Sequence, residues 1–190
     1  MKKLTTLLLI GVLALSLTAC GQQTPTPTTP PAQTPAAPAD ANDTNTTTVY
    51  MIKFEDDGKS KNSIKVGCGD SAIPVATTVG YKYDKTNVVA SINAALIALQ
   101  STTATQYSTQ NLQNTAASSA WTIQKVDKPV NNGDPYLVHM KGTFTFGGTC
   151  DMPRVRAQIE ETVKKAALGN PTTIVWNGNA AAWDKAFSSK

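Results

Sequence analysis

The sequence predicts an α+β fold, a mostly antiparallel sheet with two main helices packed on it. Three observations carry that prediction. Residues 87–100 and 151–167 repeat apolar side chains at helical spacing, and several short runs rich in β-branched and aromatic residues read as strands. Two of those runs flank Asn131-Asn132-Gly133-Asp134, the chemistry of a hairpin turn.

In chain order, residues 1–19 read as an export signal. Two lysines precede an apolar run that is too short to cross a bilayer and ends in small residues. Leu17-Thr18-Ala19-Cys20 matches a lipobox, so Cys20 is expected to become the lipidated amino terminus, bearing palmitate-type chains. Two or three acyl chains anchor stably where one is marginal. The chain is therefore expected outside the cytoplasm on a bacterial membrane. Gly21 is not the aspartate associated with inner-membrane retention, which favours the outer membrane where there are two.

Residues 20–47 are dense in proline and threonine and nearly devoid of apolar side chains beyond alanine, the composition of a disordered linker. Extended at about 3.1 Å per residue, that tether reaches roughly 80 Å. Residues 48–190 then have the length of one domain with one core. Removing Lys2, Lys3, Asp40 and Asp43 from 17 basic and 13 acidic residues leaves 15 and 11, so the domain carries the whole net charge of +4. Its lysines form no dense run, which argues against a nucleic-acid partner.

Within the domain, 49–54 (VYMIKF) reads as a strand closed by a Glu-Asp-Asp-Gly turn. Residues 63–80 read as extended chain broken at Gly67 and Gly69, with Pro74 pointing to an edge or a bend. Over 87–100, Val88, Ile92, Ala95, Leu96 and Leu99 share one helical face, with Thr86 or Asn87 as cap. The polar stretch 101–120 reads as a surface loop with a helical turn near 110–116, interrupted by isolated Tyr107 and Leu112.

Residues 121–146 read as a hairpin. Val138, Met140, Phe144 and Phe146 share the core face, which leaves the single histidine, His139, on the polar one. Asp151 is expected to cap a helix whose stripe is Val155, Ile159, Val163 and Ala167. Glu160–Lys164 and Glu161–Lys165 are expected as surface pairs, and Gly169 with Pro171 as the stop. Residues 172–178 read as a last strand; 179–190 fits a returning edge strand or a short helix equally well.

With Cys20 lipidated, Cys68 and Cys150 remain in an oxidising compartment, where they are expected to form a disulfide. A metal site would want further Cys or His ligands at short spacing, and a cysteine nucleophile would want a base; His139 is the sole histidine for either. No metal, cofactor or catalytic set is expected. The carboxylates of Asp70, Asp84, Asp127, Asp134 and Asp151 show no spacing that predicts a pair.

The order of strand, GCGDSAIPV, helix AALIAL, hairpin ending in GTFTFGGTCDMPRVRAQIEETV, and TTIVWNG resembles the sporulation and spore-germination domain, GerMN, over 49–178. The distinctive pieces are Gly67-Cys68-Gly69-Asp70 and Gly148-Thr149-Cys150-Asp151 followed by Pro153-Arg154 and Gln158; the polar stretch 101–120 departs from the family. The resemblance implies an envelope-anchored α+β module of protein assembly without enzymatic chemistry. The expected function is accordingly non-enzymatic binding of a protein or cell-envelope component, with Trp183, Phe187 and Tyr107 as candidate contact residues. Trp121 and Trp176 are expected in or beside the core. The alternatives are an envelope hydrolase built on two of the carboxylates, and a structural or inhibitory lipoprotein presenting the 101–120 loop.

Overall fold

The computed structural model describes residues 45–188. The expected signal (1–19), Cys20 and all but the last three residues of the expected linker lie outside the described residues. The architecture is α+β, with strands in two sheets ordered β2-β3-β1-β4 and β5-β6-β7.

The first strand, β1 (Thr46–Lys53), starts inside the stretch read as linker. Thr46, Thr47 and Thr48 pair with Thr78, Thr77 and Ala76 of β3 (Ser71–Thr78), because β-branched threonine suits a pleated ladder as well as it suits a polar linker. Every residue of Val49-Tyr50-Met51-Ile52 is buried. Val49 and Met51 enter the main core, whereas Tyr50 and Ile52 join a smaller cluster with Val66 and Ala72. Both faces of β1 are covered, which explains a continuous apolar run where alternation would mark a half-exposed strand.

On the far side of β3, β2 (Ile64–Lys65) pairs only with Ala72 and Ser71. Pro74 therefore stands where β3 has β1 on one side and no strand on the other, the edge position its missing N–H suits.

The helix α1 (Val88–Ser101) is capped by Asn87, whose side chain accepts from the Ala90 N–H at 3.2 Å. All five stripe residues are buried, and so are Ser91, Ala94 and Ala98, since α1 packs on β1, on β5 (Ala120–Asp127) and on α2 (Asp151–Ala166).

The 101–120 stretch differs from its reading as a surface loop. Its helical turns fall at Ala104–Gln110 and Ala116–Ser118, and between them β4 (Leu112–Gln113) pairs with Lys53 and Ile52. Leu112, buried, supplies the anchor that overrides the polar composition around it.

The hairpin is β5 with β6 (Tyr136–Thr143). Its register slips between Ile123 and Lys125, and this bulge turns Val126 onto the core face that Trp121 already occupies. Strand β7 (Thr172–Trp176) then pairs with β6 in parallel, because the whole of α2 intervenes and returns the chain to the same end. The last segment is a short helix, α3 (Ala181–Ala186). No described helix is long and apolar enough to cross a membrane.

Candidate functional site

Helix α2 organises the functional surfaces, and its first turn is held by a cluster of crosslinks. Cys68 and Cys150 form a disulfide with Cα atoms 5.8 Å apart, joining the β2–β3 turn to the helix start across 82 residues. Cys68 adopts left-handed backbone (φ 65°), and a Cβ on Gly67 would approach Pro153 Cγ to 3.0 Å, so the turn must be built closely against α2.

Beside the disulfide, the Arg154 guanidinium donates to Asp70 at 2.6 Å and to Asp151 at 3.2 Å, and lies 4.3 Å from the centre of the Phe54 ring. Asp70, 1 % exposed, also accepts from the Glu55 N–H at 3.0 Å. Asp151 is the first residue of α2 and not its cap: its carboxylate is taken by the Gly147 N–H and by Arg154.

Two of the five carboxylates considered for a hydrolase thus converge, but on one arginine and with their oxygens engaged. The others stand apart. Thr86, through hydroxyl and N–H, holds the Asp84 carboxyl below the usual carboxylate range. Asp127 is lowered by Lys125 first and by His139 as well, the imidazole Nε2 lying 2.9 Å from its carboxylate. Asp134 accepts from Asn131 within its own turn. A general acid near neutral pH needs the opposite, a raised carboxyl. Among the described residues no three His, Cys, Asp or Glu side chains come together as metal ligands.

The middle of α2 carries two buried polar residues that face β1. Beyond Ile52 and Lys53, β1 has no strand on its β4 side. There the Tyr50 N–H donates to Thr162 Oγ1 at 3.0 Å, and the Tyr50 carbonyl accepts from Gln158 Nε2 at 3.0 Å. Gln158 Oε1 accepts in turn from the Ala116 N–H at 2.9 Å and from the Thr115 hydroxyl. One helix face, at spacing i and i+4, thereby completes a strand edge and ties down the 101–120 segment. The signal was present in sequence as a Gln and a Thr on the apolar side of an amphipathic helix; only their partners were unreadable.

Of the candidate contact residues, two are buried. Tyr107 is buried, its hydroxyl donating to the Ala76 carbonyl at 3.0 Å. Trp183 is 5 % exposed; its indole N–H donates to Glu160 at 2.7 Å. That bond and the Arg156–Glu160 pair draw Glu160 away from Lys164, which pairs with Glu161 instead; the pairs expected at i, i+4 do not form.

Phe187 is half-buried in an aromatic cluster, 4.9 Å from Phe144 and 5.8 Å from Phe146 between ring centres, and 4.8 Å from Trp183. Phe144 stacks on buried Trp176 at 4.3 Å. Because β6 ends at Thr143, Phe144 and Phe146 continue the core face past the end of the sheet, where they are only half covered. With Met152, Thr149 and Lys185 they line a concavity of about 670 Å³. Sequence alternation located these phenylalanines on the core face but had no means of showing that the sheet stops short of them.

A second concavity of about 430 Å³ runs along the other side of α2, between Val163 and Lys164, the outer edge of β7 and the start of α3. No family model, curated protein or solved structure matches this chain.

Proposed function

We propose that this chain is a lipid-anchored, extracytoplasmic, non-enzymatic binding module, related to the sporulation and spore-germination domain, that engages a protein or cell-envelope component. The observation that carries the reading is the half-covered aromatic cluster. Phe144, Phe146 and Phe187, three of the four phenylalanines in the chain, line or border one concavity with Lys185 at its rim. Desolvated aromatic anchors beside a polar rim are the composition of interaction hot spots. The carboxylates that a hydrolase would use are engaged in ion pairs and turns, and those with a shifted pKa move away from general-acid behaviour.

The family resemblance gains support from structural use. Gly67 admits Pro153, Cys68 bonds Cys150, Asp70 binds Arg154, and Gln158 closes the β1 edge. The residues distinctive of the resemblance hold one helix in place.

The test uses the full chain in its native envelope. Labelled palmitate is expected on the wild type and absent from Cys20→Ser. A photo-crosslinker at Lys185 is expected to give a discrete adduct, lost in Phe146→Ser/Phe187→Ser and retained in Val130→Ser on the exposed hairpin turn. An unlabelled wild type refutes the anchor. An adduct indifferent to the phenylalanines refutes the surface.

A further inference from the structure

The two strand edges beside α2 are treated differently. At β1 the helix supplies Gln158 and Thr162 to the main chain; at β7 it supplies nothing. The pairing with β6 fixes which β7 groups are left over. The Tyr136 N–H donates to the Pro171 carbonyl and the Asn177 N–H to the Met140 carbonyl, so in this parallel register Thr173 and Val175 turn their N–H and C=O toward β6. Thr172 and Ile174 consequently turn theirs outward. Trp176, next in that alternation, meets Asn179 there, its N–H donating to the Asn179 carbonyl at 3.1 Å. Thr172 and Ile174 have no such partner among the described residues. Their outward groups open on the concavity of about 430 Å³, whose apolar wall is Val163, Ile174, Ala180, Ala181 and Trp183.

We propose that this edge receives an extended segment of a partner protein as a fourth strand of the β5-β6-β7 sheet. The inference rests on the reading of the chain as a binding module and assigns that reading a second surface, separate from the aromatic concavity. Three observations select the occupant. Outward N–H and C=O groups on residues two apart repeat at about 6.6 Å, the repeat of an extended main chain. The ionic groups along the groove are already matched, Arg156 to Glu160 and Asp184, and Lys164 to Glu161, which leaves recognition to main-chain hydrogen bonds. The groove is walled by α2 and α3, so it admits a single strand more readily than the edge of a second copy's whole sheet.

The test pans the full chain in detergent against a phage-displayed library of random dodecapeptides. The best-enriched peptide is then added to ¹⁵N-labelled full chain. Exchange of the Ile174 and Thr172 amides is expected to slow at least tenfold, with the Thr173 and Val175 amides, already bonded, nearly unchanged. Thr172→Pro removes one outward donor without touching the β6 ladder, and binding is expected to weaken roughly three- to tenfold. Ala181→Trp, which fills the groove, is expected to abolish it, while Val130→Ser on the exposed hairpin turn leaves it intact. The same peptide N-methylated at alternate residues is expected to fail. The proposal is overturned if no peptide is enriched, if bound peptide leaves the Ile174 amide unprotected, or if that amide is protected only as the chain dimerises. Binding that depends on Phe187 and ignores Ala181→Trp would overturn the edge site while leaving the binding module standing.

Discussion

The β1 edge and the β7 edge flank the same helix, yet one is closed by buried side chains and the other is bare. At β1, Tyr50 exchanges both main-chain groups with Thr162 and Gln158, in a site where Gln158 and Thr162 are fully buried. At β7, Thr172 and Ile174 face a groove. The difference teaches what the crosslinks at the helix start accomplish. A buried amide that bonds two separate segments is useful only while the helix is held in register, and the disulfide with the Asp70–Arg154–Asp151 cluster holds it there.

The severest way to break the comparison is to cut that anchor. Cys68→Ser/Cys150→Ser frees a loop spanning 82 residues, for which loss of chain constraint corresponds to about 4.5 kcal/mol as an upper figure. A denaturation midpoint lowered by an equivalent of roughly 2–4.5 kcal/mol is expected, together with faster exchange of the Tyr50 amide and no change at Ile174. Next comes the ion cluster. Arg154→Met strands the buried Asp70 carboxylate and is expected to cost about 3 kcal/mol, whereas Asp70→Asn/Arg154→Met is expected to recover at least half of it. A double mutant no better than the single would show that Arg154 acts through its packing on Phe54.

The β1 edge itself is probed by Gln158→Leu, which leaves the Tyr50 carbonyl and the Ala116 N–H without partners. A loss of about 2–3 kcal/mol is expected in urea unfolding, and about 1 kcal/mol for Thr162→Val.

Acid sharpens the contrast further. Ser60, by hydroxyl and N–H, holds the Asp56 carboxyl well below its ordinary 3.8, in the loop that also bonds Gly69 and Ser71. A depressed folded pKa gives stability that is present above the ordinary value and lost as pH falls through the folded one. Unfolding midpoints are therefore expected to drop on acidification below about pH 4, and Asp56→Asn to flatten that drop. At the β7 edge, Thr172→Pro is expected to change stability by less than about 0.5 kcal/mol, since no internal bond is removed; a large loss would show that the outward N–H already has a partner.

Much of this arrangement was readable beforehand. The helical stripes 88-92-95-96-99 and 155-159-163-167 are buried as spaced, because the periodicity of a helix is a local property of the chain. The disulfide followed from a count of cysteines, and the Asn131–Asp134 turn from its own composition. The errors share a cause. Leu112 became a strand and Glu160 turned to Trp183, each drawn by a group distant in sequence, and Asp151 became a ligand of Arg154, which Asp70 holds from 84 residues away. Trp183 and Tyr107, named as candidate contact residues, found burial and hydrogen-bond partners by the same route.

The sequence by itself determined the α+β class, where the two main helices lie, which faces they bury and which thiols are paired in the folded part, since each depends on short-range periodicity or on a small inventory. Only the tertiary structure decided that β7 runs parallel to β6, that Gln158 and Thr162 complete β1, and that three phenylalanines meet at the end of a sheet. Those outcomes depend on which main-chain groups remain unpaired after the elements pack, a quantity that no stretch of residues specifies alone.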